Sequence, residues 1–194
     1  MDIKKSSGLI LHPSSLPGEY GIGDIGLNSF NFVDFLKSSK TNIWQVLPLG
    51  ITDEVEYSPY SSKSSILGNP YLISINDIEN NMFDKDSLNN LKELSNYEVE
   101  YKKVYSCKQS LFQSVSKRID LKDYSDFLNK NELFKKHLTF VTLSEVHGNN
   151  WVEWDEDYLN YSEDTFQKVI EKFKDTFAKN VFLQYEFDSQ WKKL

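Results

Sequence analysis

Gly8-Leu9-Ile10-Leu11-His12-Pro13-Ser14-Ser15-Leu16-Pro17-Gly18-Glu19-Tyr20-Gly21-Ile22-Gly23-Asp24-Ile25-Gly26 takes a short apolar segment straight into a loop of proline, glycine and serine. Leu9, Ile10 and Leu11 are an apolar burst of strand length. Pro13 ends it by removing a backbone donor and biasing His12 toward an extended conformation. The segment reads as a buried strand that closes at or near His12 and surfaces at a site. Two prolines and four glycines then make residues 13–26 turn chemistry throughout. Loops at the C-terminal ends of strands are where α/β folds keep their sites.

Gly21-Ile22-Gly23-Asp24-Ile25-Gly26 matches the dinucleotide-binding pattern letter for letter. That pattern needs its first glycine directly after the strand, and an acid roughly 20 residues on at the end of the next strand. Here residues 13–20 intervene, and the next strand runs Ile43-Trp44-Gln45-Val46-Leu47-Pro48 without an acid. The glycines are therefore read as letting the loop turn into a helix, and a nucleotide-binding protein remains a rival resting only on this failed context.

Phe30, Val33, Phe35 and Leu36 recur near helical spacing, predicting a helix over 28–39 with Asn28 or a neighbour as N-cap. With a second strand over 43–47, the order strand, loop, helix, strand is a βαβ unit and implies a parallel sheet with a right-handed crossover. A second long loop follows, acidic at Asp53, Glu54 and Glu56, then Tyr57-Ser58-Pro59-Tyr60-Ser61-Ser62, and finally Gly68-Asn69-Pro70. Both strands thus open into long loops at one end of the sheet, the expected site face.

From about Asp77 to Asn149 the texture changes to polar helices, expected over 86–94, 99–119 and 123–148, which read as a helical subdomain inserted between sheet elements. Its charge runs are expected to be solvated faces. Phe166, Val169, Ile170, Phe173, Phe177, Val181, Gln184, Phe187 or Asp188, Trp191 and Leu194 then step by three and four, predicting one long amphipathic helix. Between Val181 and Phe187 it is apolar on several sides and expects cover from more than one face of a small sheet. No cap or closing turn follows, so the sequence reads as an N-terminal piece of a longer one.

At 194 residues the chain suits one domain with a sizeable core. A net charge of −7 and a pI near 5.0 exclude a basic nucleic-acid face and favour a neutral ligand. Aromatic residues make up 14%, enough for a core and for some stacking platforms. The single Cys107 excludes an internal disulfide and a cysteine-rich metal site. Met1-Asp2-Ile3-Lys4-Lys5 leads into too few apolar residues for a signal sequence, and no stretch approaches a membrane span. A cytoplasmic protein without cofactor or metal is expected. Arg118 is the only arginine, so lysine is expected at positions where ancestors carried arginine.

Lys5-Ser6-Ser7-Gly8 through Pro17-Gly18, then residues 21–26, Trp44-Gln45-Val46-Leu47-Pro48-Leu49-Gly50, Ser58-Pro59-Tyr60 and Gly68-Asn69-Pro70, closely resemble in order and spacing the opening of the 4-α-glucanotransferases, or amylomaltases, of glycoside hydrolase family 77. Val146-His147-Gly148 with Trp151 and Trp154, and Phe182-Leu183-Gln184-Tyr185 with Gln190-Trp191, agree. The resemblance implies an α/β fold: a partial (β/α)8 barrel whose start is residues 1–76, an inserted helical subdomain over 77–150, and a return to the barrel over 151–194 leading to a third strand. It implies transfer of α-1,4-glucan segments between maltooligosaccharides by a retaining mechanism, with an aspartate nucleophile and a glutamate acid/base about 5 Å apart. In the family these carboxylates lie on later strands, so no catalytic residue is expected within residues 1–194. Their replacement by Asp24 with Asp53, Glu54 and Glu56 is set against the commoner fate of loop acids, which is solvation.

Carried over residue by residue, Tyr60 matches a ring that stacks near the sugar and Ser58 a hydroxyl that hydrogen-bonds it. Tyr60 could instead pack its own turn. His12, at a strand end, either reaches the site or is a satisfied structural histidine. Three departures stand out. Lys5 replaces a usual arginine, Asp53-Glu54-Val55-Glu56-Tyr57 replaces a glycine-rich turn with a rim tyrosine, and Lys135-Lys136-His137-Leu138 lacks a usual Trp and Asp, which questions how the helical insertion packs. Besides the transferase, the sequence leaves a rival: a non-catalytic product or weak glucan-binding module.

Overall fold

The computed structural model describes residues 5–78, 82–129 and 132–194. The start of the chain read above as lacking a signal lies in part outside these residues, as does the middle of the helix expected over 123–148.

Strands β1 (Gly8–Ile10) and β2 (Ile43–Gln45) pair in parallel, with Gly8 opposite Ile43, Leu9 opposite Trp44 and Ile10 opposite Gln45. Helix α1 (Leu27–Ser38) joins them and sets Phe32 edge-on against Trp44, with ring centroids 4.9 Å apart. The βαβ unit is as expected. The burial of its strands is not: Ile10 is 66% exposed, and Leu9 and Ile43 are also exposed. Among the described residues the sheet has two strands, and α1 is the helix packed on it, so the apolar strand residues lack the second layer that would bury them.

Gly26, not Asn28, occupies the N-cap of α1 and makes no side-chain cap bond. Asn28 instead donates its Nδ2 to the Pro17 carbonyl at 2.8 Å, and Ser29 donates its hydroxyl to the Asp24 carbonyl at 2.6 Å. The glycine-rich turn is thus tied to the loop before it rather than opened toward a ligand. Gly21 has φ +75°, where a side chain is strained.

Helices α2 (Lys85–Lys92), α3 (Tyr101–Val115), α4 (Ser125–Asn129) and α5 (Glu132–His147) form the polar block. Before α4, a 3₁₀ turn at Leu121–Tyr124 replaces the start of the expected helix, because the Asp120 side chain caps the Lys122 N–H at 3.1 Å.

The long final helix is two helices, α6 (Glu163–Lys172) and α7 (Lys174–Lys193). The break is Phe173, at φ −122° and ψ 35°. Its ring lies 5.5 Å from His147 and 6.1 Å from Tyr158. Val169 and Phe173 still accept the N–H groups of Phe173 and Phe177, so the apolar period runs through the bend unchanged. That is why periodicity reads one helix. Every residue of α7 from Phe177 to Gln184 is buried, and α3, α5 and α6 supply the cover. Phe182, Leu183 and Phe187 join a core with Leu111, Phe112 and Ile73; Phe177 and Val181 join a second with Leu138, Trp154 and Phe166.

Candidate functional site

The loop after β2 is an irregular hairpin. Its arms meet at Gly50 opposite Gly68 and Thr52 opposite Ser62, and Asn69 donates to the Leu49 carbonyl at 2.7 Å. At the tip, Ser58 accepts the Tyr60 N–H on its hydroxyl at 3.2 Å, while its carbonyl takes the Ser61 N–H at 3.1 Å. This fixes the turn and throws the Tyr60 side chain outward, 74% exposed. Tyr60 does not pack its own turn.

A tyrosine wall backs the hairpin. Tyr57 (φ +54°) stacks on Tyr101 at 5.8 Å and meets Tyr105 edge-on at 4.7 Å, and Tyr105 stacks on Tyr71 at 3.6 Å. The Thr52 hydroxyl bonds the Tyr105 hydroxyl. Burial raises the Tyr105 phenol above the usual value and the Tyr71 phenol well above it, which keeps them neutral.

Tyr60 borders an open cleft of about 530 Å³ with Asp53, Ser61, Lys63, Phe140, Ser144 and Asn149. Ser144 is buried, and its hydroxyl has no hydrogen-bond partner. Phe140 and Ser144 carry no local signal of a site, since residues 123–148 read only as a polar helix.

His12 does not reach this cleft. Its ring caps the 3₁₀ turn Pro13–Ser15, with Nδ1 2.8 Å from the Ser14 hydroxyl and accepting the Ser14 N–H at 3.3 Å, while its buried Nε2 has no partner. Burial holds its pKa below the usual value, opposed by the nearby Pro48 carbonyl. Asn69 caps the 3₁₀ turn Pro70–Leu72 in a similar way at the far end of the second loop, its Oδ1 accepting the Tyr71 N–H at 3.0 Å.

The acids do not assemble into a carboxylate pair. Asp53 spends Oδ1 on the N–H groups of Glu56 (2.7 Å) and Val55 (2.8 Å), which lower its pKa. Asp24 accepts the Gly26 N–H at 2.9 Å and is raised mainly by burial, and the charges acting on it are Lys108, Asp77 and Glu19. The departure at Lys135-Lys136-His137-Leu138 also packs well. Leu138 is fully buried, His137 Nδ1 lies 2.7 Å from the Ser64 hydroxyl, and Lys135 and Lys136 sit over the rings of Phe166 and Tyr161 at 5.4 and 5.3 Å.

Tyr60 thus presents an exposed ring beside hydroxyl and amide groups at the cleft. A sequence model of the 4-alpha-glucanotransferase family matches residues 11–194, and the chain belongs to that family. It is 36% identical over 193 residues to the 4-alpha-glucanotransferase of Aquifex aeolicus (strain VF5), covering 97% of this chain and 39% of that protein. To that of Clostridium butyricum it is 37% identical over 200 residues, covering 95% and 39%. Amylomaltase from Streptococcus agalactiae, solved in complex with acarbose, superimposes with a TM-score of 0.83 at 28% identity, over 98% of this chain and 40% of that one. The chain therefore spans about 40% of the length of these relatives and corresponds to an N-terminal portion of them. No helix among the described residues is long and apolar enough to cross a membrane.

Proposed function

We propose that residues 1–194 are the sugar-binding wall of a 4-α-glucanotransferase that moves α-1,4-glucan segments between maltooligosaccharides by retaining double displacement. The βαβ unit of residues 1–76 starts a (β/α)8 barrel, residues 77–150 are an inserted helical subdomain, and residues 151–194 return toward the barrel. The observation that carries the reading is Tyr60, held outward by the Ser58 turn at the rim of a cleft lined with polar groups. Its ring face stacks on a glucosyl unit, and the Ser58 hydroxyl supplies a hydrogen bond when the turn opens to substrate. His12 supports the first loop from the strand end. Retention requires two carboxylates about 5 Å apart. Asp53 is occupied by backbone donors, Asp24 is partly buried without Asp53, Glu54 or Glu56 among the charges acting on it, and Glu54 and Glu56 are exposed, so we assign that pair to the portion of the relatives outside residues 1–194.

Maltotriose disproportionation tests this. The natural polypeptide containing residues 1–194 is expected to release glucose and longer oligosaccharides from maltotriose, and Tyr60→Ala is expected to lower kcat/KM. Absence of transfer from that polypeptide overturns the reading. The coverage of 40% favours a second statement, that residues 1–194 alone bind maltooligosaccharide without turning it over.

A further inference from the structure

One stretch of backbone, Gly68 to Ser74, is held along its length by buried side chains that arrive from far away in sequence. Gln184 accepts the Gly68 N–H at 2.8 Å on Oε1 and donates Nε2 to the Gly68 carbonyl at 2.8 Å. Gln190, six positions on in α7, repeats the arrangement on Ser74, at 2.8 Å to its N–H and 3.0 Å to its carbonyl. Between them Lys108 of α3 donates Nζ to the Tyr71 carbonyl at 2.7 Å and reaches the Ile73 carbonyl at 3.5 Å. All three side chains are buried. A side-chain amide holding both groups of one residue imitates a neighbouring strand, and here it does so where the hairpin bridge leaves Gly68 with its N–H and C=O turned away from Gly50.

Gly68 is the base of the hairpin whose tip carries Ser58 and Tyr60. The Asn69 N–H bonds the Leu49 carbonyl, the Lys63 N–H bonds Ile51 and the Asp53 N–H bonds Ser61, and between them the Ser62 and Ser64 hydroxyls tie residues 64–67, so hydrogen bonds connect Gly68 to the tip. Helix α7 approaches closely enough that a Cβ on Gly68 would lie 2.2 Å from the Phe187 ring. We propose that Gln184, with Gln190 and Lys108, forms a backbone clamp through which α7 and α3 position the Ser58–Tyr60 hairpin for sugar binding. These are positioning residues, and the claim rests on the sugar-binding reading of Tyr60 given above.

Two variants of Gln184 in the natural polypeptide containing residues 1–194 test it, read by hydrogen exchange and by maltotriose kinetics. Gln184→Leu fills the space without hydrogen bonds. It is expected to speed exchange at Gly68 and through residues 58–64 by tenfold or more, and to raise KM for maltotriose about tenfold with kcat within threefold of the parent. Gln184→Glu can imitate the amide only while its carboxyl is protonated, because the ionised form cannot donate to the Gly68 carbonyl. Its KM is expected to approach the parent's at low pH and to rise as that carboxyl ionises. Glu54, Lys63, Glu145, Lys179 and Asp188 line the cavities beside this position in parent and variant alike, so the difference between the two profiles isolates residue 184. Parental exchange over 58–64 in Gln184→Leu, or a Gln184→Glu KM profile parallel to the parent's, overturns the clamp. If the parent itself transfers no glucan, the sugar-binding reading fails, and the exchange measurement alone decides whether the clamp orders the hairpin.

Discussion

Lys108 donates its Nζ to the carbonyl of Tyr71 at 2.7 Å with none of its side chain open to solvent. Burial pushes its pKa down to about 8, opposed by the Asp24 carboxylate. A lysine with a lowered native pKa binds fewer protons in the folded chain than in the unfolded one between that value and about 10.5, so its contribution to stability rises with pH across this window. A shift of that size corresponds to about 3 kcal/mol over the whole window. Tyr71, raised by burial, acts oppositely above about pH 10, where the unfolded phenol ionises first. The urea midpoint of the parent is expected to gain on that of Lys108→Met from pH 7.5 to 9.5, and parallel curves for the two proteins would falsify the assignment.

Gly68 and Phe187 are expected to be coupled. An added Cβ would sit 2.2 Å from the ring, and the neighbouring backbone is pinned by Gln184, so the strain cannot relax by moving the hairpin. Gly68→Ala should cost about 1–3 kcal/mol, the range for overpacking a filled core. In Phe187→Ala, which opens the space, the same change should cost well under half as much. Additive losses in a double-mutant cycle count against the contact.

Tyr60 touches solvent with most of its ring, so its removal should separate binding from stability. Tyr60→Ala is expected to change folding stability by less than about 0.5 kcal/mol, as for other exposed positions. Its affinity for acarbose or maltotriose should fall about tenfold, or ~1.4 kcal/mol. Tyr60→Phe keeps the ring face and should stay near the parent. Titration calorimetry on the three proteins distinguishes stacking from a role for the hydroxyl.

The sequence showed what local chemistry dictates and missed what distant partners decide. The Leu9-Ile10-Leu11 burst, Pro13 and the helical period after Asn28 give the βαβ unit, because strand length, proline and periodicity are local signals. Tyr60 is singled out by the Ser58-Pro59-Tyr60 match, and its role at the sugar is a proposal resting on that match and on its exposure. Gln184 enters the sequence reading as a member of the amphipathic pattern, and both it and Gln190 as letters of the family resemblance, since nothing in a glutamine says that its amide will hold a backbone 116 residues away. Lys108 reads as a solvated charge until α3 turns it inward. Phe173 bends the last helix through ring contacts with His147 and Tyr158 that leave the apolar period intact.

The two-stranded sheet yields the last prediction. Ile10 is 66% exposed and Ile43 47%, beside strand edges that pair with nothing further among the described residues. Exposed apolar strands with free edges are templates for pairing with another chain. The helices bury two apolar cores of their own, so the residues 1–194 polypeptide should show helical circular dichroism while its sheet seeks a partner. Light scattering of that polypeptide is expected to show self-association that grows with concentration. Ile10→Lys or Ile43→Lys should suppress it without loss of helix, because a charge on the exposed face blocks edge pairing and leaves both cores untouched. A monomer that melts in one cooperative transition, unchanged by either substitution, would show that the exposed strand face is not what drives association.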